Sequence, residues 1–137
     1  MYIIHSMHQR QVKSVPFSTT WHINDKEPVY AQIVRQGKIQ MATGRLQPGE
    51  PLPSRRELAV LLSINPNTVQ KAYHILEEEG ILSTGQSQRS EVRAAPAVLE
   101  RVRKELTDDM MSELIERSRE LGLEFQDVIR LLTECWN

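Results

Sequence analysis

Four polar side chains recur along one short stretch of the chain at the spacing of a single helix face. They are Asn67, Gln70, Lys71 and His74, at i, i+3, i+4 and i+7. Each can donate or accept hydrogen bonds, and none is acidic. The amides of Asn and Gln match an adenine edge, and lysine reaches a guanine acceptor or a phosphate. The pattern favours contact with nucleic acid, and its alternative is an ordinary solvated helix face.

The stretch that carries these four residues has the start and stop signals of a helix. Asn65 is a good N-terminal cap, and Pro66 suits the first helical position, where a missing N–H costs nothing. Gly80 ends the helix. The opposite face is apolar at the same spacing, with Val69, Ala72, Tyr73 and Leu76. The spacing therefore predicts a half-buried helix whose polar face points outward.

A second helix is predicted just before it, and a hairpin just after it. Ser54 and Glu57 have the spacing of a capping box, and this helix is expected to bury Leu58, Leu61 and Leu62. It breaks at residues 63–64. Residues 81–84 and a return near residues 91–92 suit two short antiparallel strands joined by the polar residues 85–90. Two helices with a short turn and a following hairpin describe a winged helix-turn-helix.

The N-terminal part of the chain is expected to contribute one more helix. Residues 1–20 show little periodicity and are predicted to be an extended or mobile arm, and residues 21–23 alternate like a short strand. Pro28 opens a helix that Gly44 ends. Its apolar face comprises Tyr30, Ile33, Val34 and Met41, with Gly37 where another large side chain should be.

The C-terminal part predicts two helices that bury little by themselves. Pro96 starts a long helix, loosened near residues 107–109, and Gly122 turns the chain into a final short one. Because the chain has no segment left to cover both apolar faces, a second subunit is expected to cover them. The residues predicted to dimerise are Leu99, Val102, Leu106, Met110, Leu114, Phe125, Ile129, Leu132 and Trp136.

Together these elements predict a mainly α fold with a small β-hairpin. The organisation is an N-terminal extension at residues 1–20, a winged helix-turn-helix DNA-binding domain at residues 21–93, and a two-helix dimerisation or regulatory tail at residues 94–137. A length of 137 residues allows little more than this.

Charge and composition restrict the class of protein. The formal net charge is −1, which by itself does not indicate a nucleic-acid partner. Acid is concentrated in residues 93–137, whereas residues 25–92 are neutral. The lone cysteine, Cys135, excludes an internal disulfide, indicates a reducing compartment and is expected to be packed. With no signal peptide or membrane span, the sequence favours a cytoplasmic protein.

Several adjacent motifs resemble the GntR family of transcriptional regulators. The matching segments are residues 46–59 (LQPGEPLPSRRELA), 64–73 (INPNTVQKAY) and 76–82 (LEEEGIL). The segment Asn-Pro-Asn-Thr-Val and the short tail resemble the YtrA branch. The likeness runs from about residue 21 to residue 92 and, more weakly, through the tail. Several motifs at the right spacing are a stronger signal than one short pattern.

The resemblance implies a bacterial repressor that binds a palindromic DNA operator as a homodimer through a winged helix-turn-helix. Arg56 matches the family's DNA-contacting arginine, with a surface salt bridge as its alternative, and Arg55 beside it has a weaker match. Asn67, Thr68 and Gln70 match contacting positions, and Pro66 stands where many members have arginine. With the helix face and the wing added, the expected DNA-binding residues are Ser54, Arg55, Arg56, Asn65, Asn67, Thr68, Gln70, Lys71, His74 and Arg89.

Two positions depart from the family pattern. The wing usually reads Gly-x-Gly-Thr-Phe-Val, but residues 87–92 here read SQRSEV, with neither glycine and with Glu91 in place of the aromatic. An atypical or mobile wing is expected, with Arg89 as its one candidate DNA contact. Gly37 removes a core side chain from the first helix.

Other functions fit the sequence less well. No nucleophile elbow, phosphate-binding glycine loop or paired carboxylates indicate an enzyme. A metal sensor is a further alternative, because His5 and His8 are close in sequence. No ligand-pair spacing links them to a second cluster, since His22, His74 and Cys135 are scattered elsewhere, so no metal or other cofactor is expected. A small-molecule effector is left open, without residues that identify it. The alternative from another class is a winged-helix protein-interaction module that does not read DNA.

Overall fold

A computed structural model describes residues 21–84 and 89–137. Within those ranges the chain forms five helices and one two-stranded antiparallel sheet, which confirms the predicted mainly α fold with a small hairpin. In chain order the elements are α1 (Val29–Ala42), α2 (Arg55–Leu62), α3 (Pro66–Glu78), β1 (Leu82–Thr84), β2 (Ser90–Val92), α4 (Pro96–Glu120) and α5 (Phe125–Cys135).

Helix α1 begins directly after Pro28 and ends before Gly44, as predicted. Gly44 has a φ of 76°, a left-handed conformation that glycine adopts without the steric cost of a side chain. The buried face contains Ile33, Val34 and Met41, and Gly37 is buried among them. The glycine therefore lies on the core face of the helix, where the sequence pattern placed it.

The residues before α1 do not form the strand that was predicted at residues 21–23. Trp21 is buried in the core, and the buried amide of Gln32 binds the chain that follows it. Gln32 Nε2 donates to the carbonyl of Asn24 at 2.7 Å and to that of Glu27 at 2.9 Å, and Oε1 accepts from the Asn24 N–H at 2.9 Å. These backbone groups pair with a side chain from α1, so no strand is needed to satisfy them.

Helices α2 and α3 have the caps that the sequence predicts. The Ser54 hydroxyl accepts from the Glu57 N–H at 3.1 Å, and the Glu57 carboxylate accepts from the Ser54 N–H at 3.1 Å. Asn65 caps α3, with Pro66 in its first turn. Between them Ser63 ends α2 with a φ of 55°, which an L-residue adopts at a cost. Helix α3 packs against both α1 and α2.

The buried faces of these helices match the prediction except at Leu61. Leu58, Val69, Tyr73 and Leu76 are almost fully buried. Leu61, predicted to be buried, is 58% exposed, and Leu62 is half-buried. Helix α2 has only eight residues, and its core contact is made by Leu58 and Ala59, so the neighbouring positions in the last turn point outward.

The hairpin has a third backbone segment beside it. In β1 and β2, Leu82 pairs with Val92, Ser83 with Glu91 and Thr84 with Ser90. The segment before α2 lies along the other edge of β2, with the Gly49 N–H donating to the Val92 carbonyl at 2.7 Å and the Leu52 N–H donating to the Ser90 carbonyl at 3.0 Å. The connector thus protects an edge of the hairpin that would otherwise be open.

The chain divides into two compact units, Met1–Arg103 and Lys104–Asn137. In the first unit, the start of α4 is held by the Arg101 guanidinium, which donates to the Glu79 carbonyl at 2.7 Å, and by buried Val102. In the second unit, α4 continues unbroken to Glu120, so the loosening predicted near residues 107–109 is absent from this described helix. Gly122, with a φ of 73°, turns the chain, and α5 follows.

Candidate nucleic-acid interface

Helix α3 presents the two faces that its sequence predicts. Val69, Ala72, Tyr73 and Leu76 are buried, which anchors the helix on the core. The opposite face is exposed along its whole length, and its members are Asn67, Gln70, Lys71 and His74. A helix of 13 residues with one buried and one polar face has the dimensions to enter a DNA major groove, which is about 12 Å wide.

The first turn of α3 is fixed by its cap, and its outer side chains remain available. Asn65 Oδ1 accepts from the Asn67 N–H at 2.8 Å, and the Asn65 carbonyl accepts from the Thr68 N–H at 3.0 Å. The Asn65 side-chain oxygen is thereby used in folding. Within the described part of the chain, the side chains of Asn67, Thr68 and Gln70 make no hydrogen bonds. Their donors and acceptors are therefore free for a ligand.

The last two members of the polar face already have neighbours. The Lys71 ammonium lies 3.8 Å from the centroid of the Tyr30 ring on α1, a cation–π contact that restricts its reach. His74 Nε2 lies 3.0 Å from a carboxylate oxygen of Glu78, one turn further along. Glu78 was not among the predicted site residues, although the i, i+4 spacing indicates the contact. Its negative charge lies at the C-terminal end of the face and disfavours phosphate there.

Arg56 is an exposed cation in the first turn of α2. It forms no ion pair or hydrogen bond with any residue in ranges 21–84 and 89–137, so the salt bridge considered as its alternative is absent among the described residues. Ser54, the capping residue before it, is also exposed. A free guanidinium at a helix N-terminus, where backbone N–H groups also point outward, favours an anion such as phosphate.

Arg55, the residue next to it, turns inward. Its Nη2 donates to Oε1 of Glu77 on α3 at 2.9 Å, and its guanidinium lies 5.6 Å from the centroid of the Tyr73 ring. Only 27% of its side chain is exposed, and its Nε is buried without a hydrogen-bond partner. The two adjacent arginines therefore occupy different environments, which the sequence alone did not distinguish.

Glu77 links three elements through a single carboxylate oxygen. Oε1 accepts from Arg55 on α2 and also from the Thr84 hydroxyl on β1, at 2.8 Å. The Thr84 hydroxyl lies 3.3 Å from the Ser90 hydroxyl on β2. This acid, which sequence reasoning did not single out, ties the helix-turn-helix to the base of the hairpin.

Tyr73 connects α3 to the connector before α2. Its hydroxyl donates to the Pro53 carbonyl at 2.7 Å, and its side chain is fully buried. Burial raises the pKa of Tyr73, an effect that nearby Arg55 opposes and Glu57 adds to. The hydroxyl is therefore a permanent donor at neutral pH. It holds the start of α2, with both arginines, at a fixed place beside α3.

An open apolar groove of about 420 Å³ lies beside Arg56. Its lining includes Ala59 and Val60 of α2, then Ile64 and Pro66 at the start of α3. Val60 is 78% exposed. The groove thus brings exposed apolar surface next to Arg56 and to the first residue of α3.

The hairpin contributes one described candidate. Arg89 is exposed and directly precedes β2, and Glu91 is exposed on that strand. Residues 85–88, which form part of the predicted atypical wing, lie outside the described residues, as do residues 1–20 with His5 and His8.

The predicted dimerisation residues fall into three groups. Met110, Phe125, Ile129, Leu132 and Trp136 are exposed in the single chain, and Leu99, Leu106 and Leu114 are half-buried. Val102 differs from the prediction, because it is 1% exposed and belongs to the core of the first unit. Cys135, predicted to be packed, is exposed.

The described residues show neither a membrane-spanning helix nor a metal-binding cluster. No helix in the described ranges is long and apolar enough to cross a membrane. Residues 21–84 and 89–137 contain no group of three or more His, Cys, Asp or Glu residues that could hold a metal ion.

Comparisons with known proteins agree with this geometry. A sequence profile described as bacterial regulatory proteins, gntR family, matches residues 29–92, from the start of α1 to the end of β2. The HTH-type transcriptional regulator YhcF of Bacillus subtilis (strain 168) is 30% identical over 103 residues, which are 75% of this chain and 85% of that protein. The HTH-type transcriptional repressor YtrA of the same strain is 53% identical over 57 residues, 42% of this chain and 44% of the repressor.

A solved structure extends the likeness beyond the matched profile. A GntR family transcriptional regulator from Listeria monocytogenes superposes with a TM-score of 0.74 at 28% sequence identity. The superposition covers 82% of this chain and 98% of that one. The similarity therefore includes residues beyond the hairpin as well as the helix-turn-helix.

Proposed function

Because this chain belongs to the GntR family of DNA-binding transcriptional regulators, within its YtrA-like subfamily, we propose that it represses transcription as a homodimer on a palindromic operator. The single observation that carries the proposal is the exposed polar face of α3 together with the exposed guanidinium of Arg56, which has no ion pair among the described residues. One element offers donors and acceptors for base edges, and the other offers a cation for the backbone.

In this proposal the start of α3 reads bases. Asn67 and Gln70 each present an amide that pairs with the N6 and N7 atoms of adenine, and Thr68 contributes a hydroxyl. Because Asn65 uses its side-chain oxygen as the cap, its part is to position this turn and to offer its remaining amide donor. A bidentate amide–adenine pair discriminates against the wrong base by roughly 1–3 kcal/mol.

The remaining contacts orient the protein on the phosphate backbone. Arg56 binds a phosphate, with the Ser54 hydroxyl beside it, and Arg89 reaches the backbone from the hairpin. Lys71 and His74 extend the face toward its far end, where Tyr30 and Glu78 restrict them. Contacts to phosphate supply affinity and register but no sequence information.

The tail is proposed to hold two copies together. Phe125, Ile129 and Leu132 lie on α5 and Trp136 directly follows it. Their exposed apolar surface would be covered by the same surface of a second chain. The two copies of α3 would then enter successive major grooves about 34–36 Å apart, which requires two inverted half-sites in the DNA. The name of the similar YtrA protein supports repression, and a dimer on an operator blocks polymerase sterically.

Location and effector follow from the same proposal. A repressor works where the DNA is, so the protein is proposed to act in the cytoplasm. A small-molecule effector, if it favoured one spacing of the two DNA-binding domains, would change the affinity for DNA.

A salt titration tests the DNA contact. Binding of the full chain to a fluorescent duplex is measured by anisotropy for the wild type, Arg56→Gln and Arg117→Gln. Arg117 is an exposed arginine of α4 that belongs to the other compact unit and is not one of the proposed DNA-binding residues, so its variant makes the same change in charge without touching them. Arg56→Gln should reduce the slope of log affinity against log salt by about 0.9, the value for one phosphate, and Arg117→Gln should not.

The result that would contradict the proposal is equally plain. If the wild type binds no duplex, or binds with affinity that does not depend on salt, the protein does not use this face on DNA. The alternative, a winged-helix interaction module, would then be favoured. If Arg56→Gln and Arg117→Gln behave alike, the role given to Arg56 is wrong.

A further inference from the structure

Two arginines stand side by side at the start of α2, but only one is available to DNA. Arg56 is free, whereas Arg55 is paired with Glu77 at 2.9 Å and lies against the Tyr73 ring. Both side chains of this pair are about three-quarters buried, at 27% and 28% exposure. In that setting water and salt weaken the pair less than they weaken an exposed one.

We propose that Glu77 restricts non-specific DNA affinity by holding Arg55 away from the phosphate backbone. A carboxylate and a phosphate oxygen compete for the same guanidinium, because both accept its paired N–H donors. In the folded protein Glu77 keeps its ion pair with Arg55, because its carboxylate belongs to the same chain and is fixed in place. The inference rests on the proposed DNA-binding function of α2 and α3.

The geometry around Glu77 explains why the carboxylate stays in position. Its Oε1 also accepts the Thr84 hydroxyl at 2.8 Å, so a second donor from β1 fixes the acceptor. The guanidinium also lies 5.6 Å from the centroid of the Tyr73 ring, and Tyr73 is itself tied to Pro53. Among the described residues the buried Nε of Arg55 has no hydrogen-bond partner. Arg55 is therefore held by its hydrogen-bonded ion pair with Glu77 and by its contact with the Tyr73 ring.

The arrangement has a consequence for general DNA affinity. A phosphate contact strengthens binding to every duplex alike, whereas base contacts strengthen binding to the operator alone. An additional cation at the start of α2 would therefore raise the affinity for operator and unrelated DNA by the same factor. Glu77 thus limits the sequence-independent part of DNA affinity although it touches no base.

The experiment uses the full chain, a single duplex of unrelated sequence, and anisotropy at several salt concentrations. The variants are Glu77→Gln, Arg55→Gln and the double variant. Glu27→Gln is the matched control, because it removes one negative charge and breaks an exposed arginine pair, with Arg35, in the same unit. Thermal melting followed by circular dichroism establishes that each variant is folded.

Glu77→Gln is expected to bind the unrelated duplex more tightly and to steepen the salt slope by about 0.9. Over a fourfold change in salt this corresponds to roughly a threefold additional change in affinity. The double variant should return to the wild-type slope, because the released arginine is no longer there. Arg55→Gln alone and Glu27→Gln should leave the slope unchanged.

Two results would overturn the inference. If Arg55→Gln lowers the slope as Arg56→Gln does, Arg55 contacts phosphate directly in the complex. If folded Glu77→Gln keeps the wild-type slope, release of Arg55 has no effect on DNA. Where Glu77→Gln does not fold, Arg55→Gln decides alone. Failure of the wild type to bind any duplex would refute the proposed function instead, so the two failures are distinguishable.

Discussion

Replacing Tyr73 with phenylalanine removes one oxygen atom from the core of the winged helix-turn-helix. That hydroxyl donates to the Pro53 carbonyl at 2.7 Å from a fully buried side chain, so no water replaces it readily. The ring remains and keeps its packing against α2. The variant therefore removes only the hydrogen bond that ties the connector before α2 to helix α3. That hydrogen bond also fixes the start of α2.

The expected loss of stability follows from the buried partner. Leaving a buried acceptor unsatisfied costs about 1–3 kcal/mol, so the free energy of unfolding at pH 7 should fall by that amount. Burial raises the pKa of Tyr73 above the unfolded value of about 10, so only the unfolded chain loses this proton just above pH 10. Tyr73 should then contribute a loss of wild-type stability of about 1 kcal/mol for each pH unit above 10, a contribution that Tyr73→Phe lacks.

Chemical unfolding followed by circular dichroism, at pH 7 and at pH 11, measures both effects. The stability difference between the wild type and Tyr73→Phe should be about 1–3 kcal/mol at pH 7 and smaller by about 1 kcal/mol at pH 11. Tyr30→Phe is the control, since the Tyr30 hydroxyl makes no hydrogen bond within the described residues. A difference that stays the same at both pH values would refute the argument from burial.

Three further outcomes are expected. Asn65→Ala removes the side-chain oxygen that accepts from the Asn67 N–H at 2.8 Å. The free energy of unfolding, measured by thermal melting, should fall by about 1 kcal/mol, and an unchanged value would mean that the cap is dispensable. Ser63→Gly removes the steric cost of the left-handed φ of 55°. The midpoint of chemical unfolding should rise, with a gain of about 0.5–1 kcal/mol in the free energy of unfolding, and a lower midpoint would show that this φ is not strained. Ile129→Glu places a charge on the proposed dimer face and should shift sedimentation toward the monomer, whereas Gln126→Glu on the same helix should not.

The parts of the fold that sequence predicts well are those set by local rules. The capping box at Ser54, the Asn65–Pro66 start of α3 and the glycine stop at Gly44 each act within one turn, so the residue types are sufficient. The two faces of α3 are also predicted, because a 13-residue amphipathic pattern leaves one way to bury its apolar side.

The parts that sequence does not predict depend on partners far along the chain. Leu61 is exposed because α2 is short and turns a different side to the core, which its own pattern does not show. Arg55 and Arg56 are the same residue type at adjacent positions. Their different environments arise from Glu77, which lies 22 residues away and meets only one of them.

At the candidate interface, too, the local pattern is predicted and the tertiary contacts are not. The sequence shows the polar face of α3, but it does not show which contacts restrict the side chains at the far end of that face. Lys71 is held by a ring from α1, a tertiary contact that spacing along α3 does not contain. The net charge of −1 was misleading because it is summed over the whole chain. It combines the acidic residues 93–137 with the neutral residues 25–92, where exposed Arg56 lies at the start of α2.

In the proposed function, two copies of this chain read an inverted repeat through α3. Selection of bound duplexes from a random double-stranded library, with the full chain, tests whether they do. We expect enrichment of two inverted half-sites whose centres lie about one helical turn, or a multiple of it, apart. Recovery of a single unrepeated site, or of no enriched sequence at all, would contradict it.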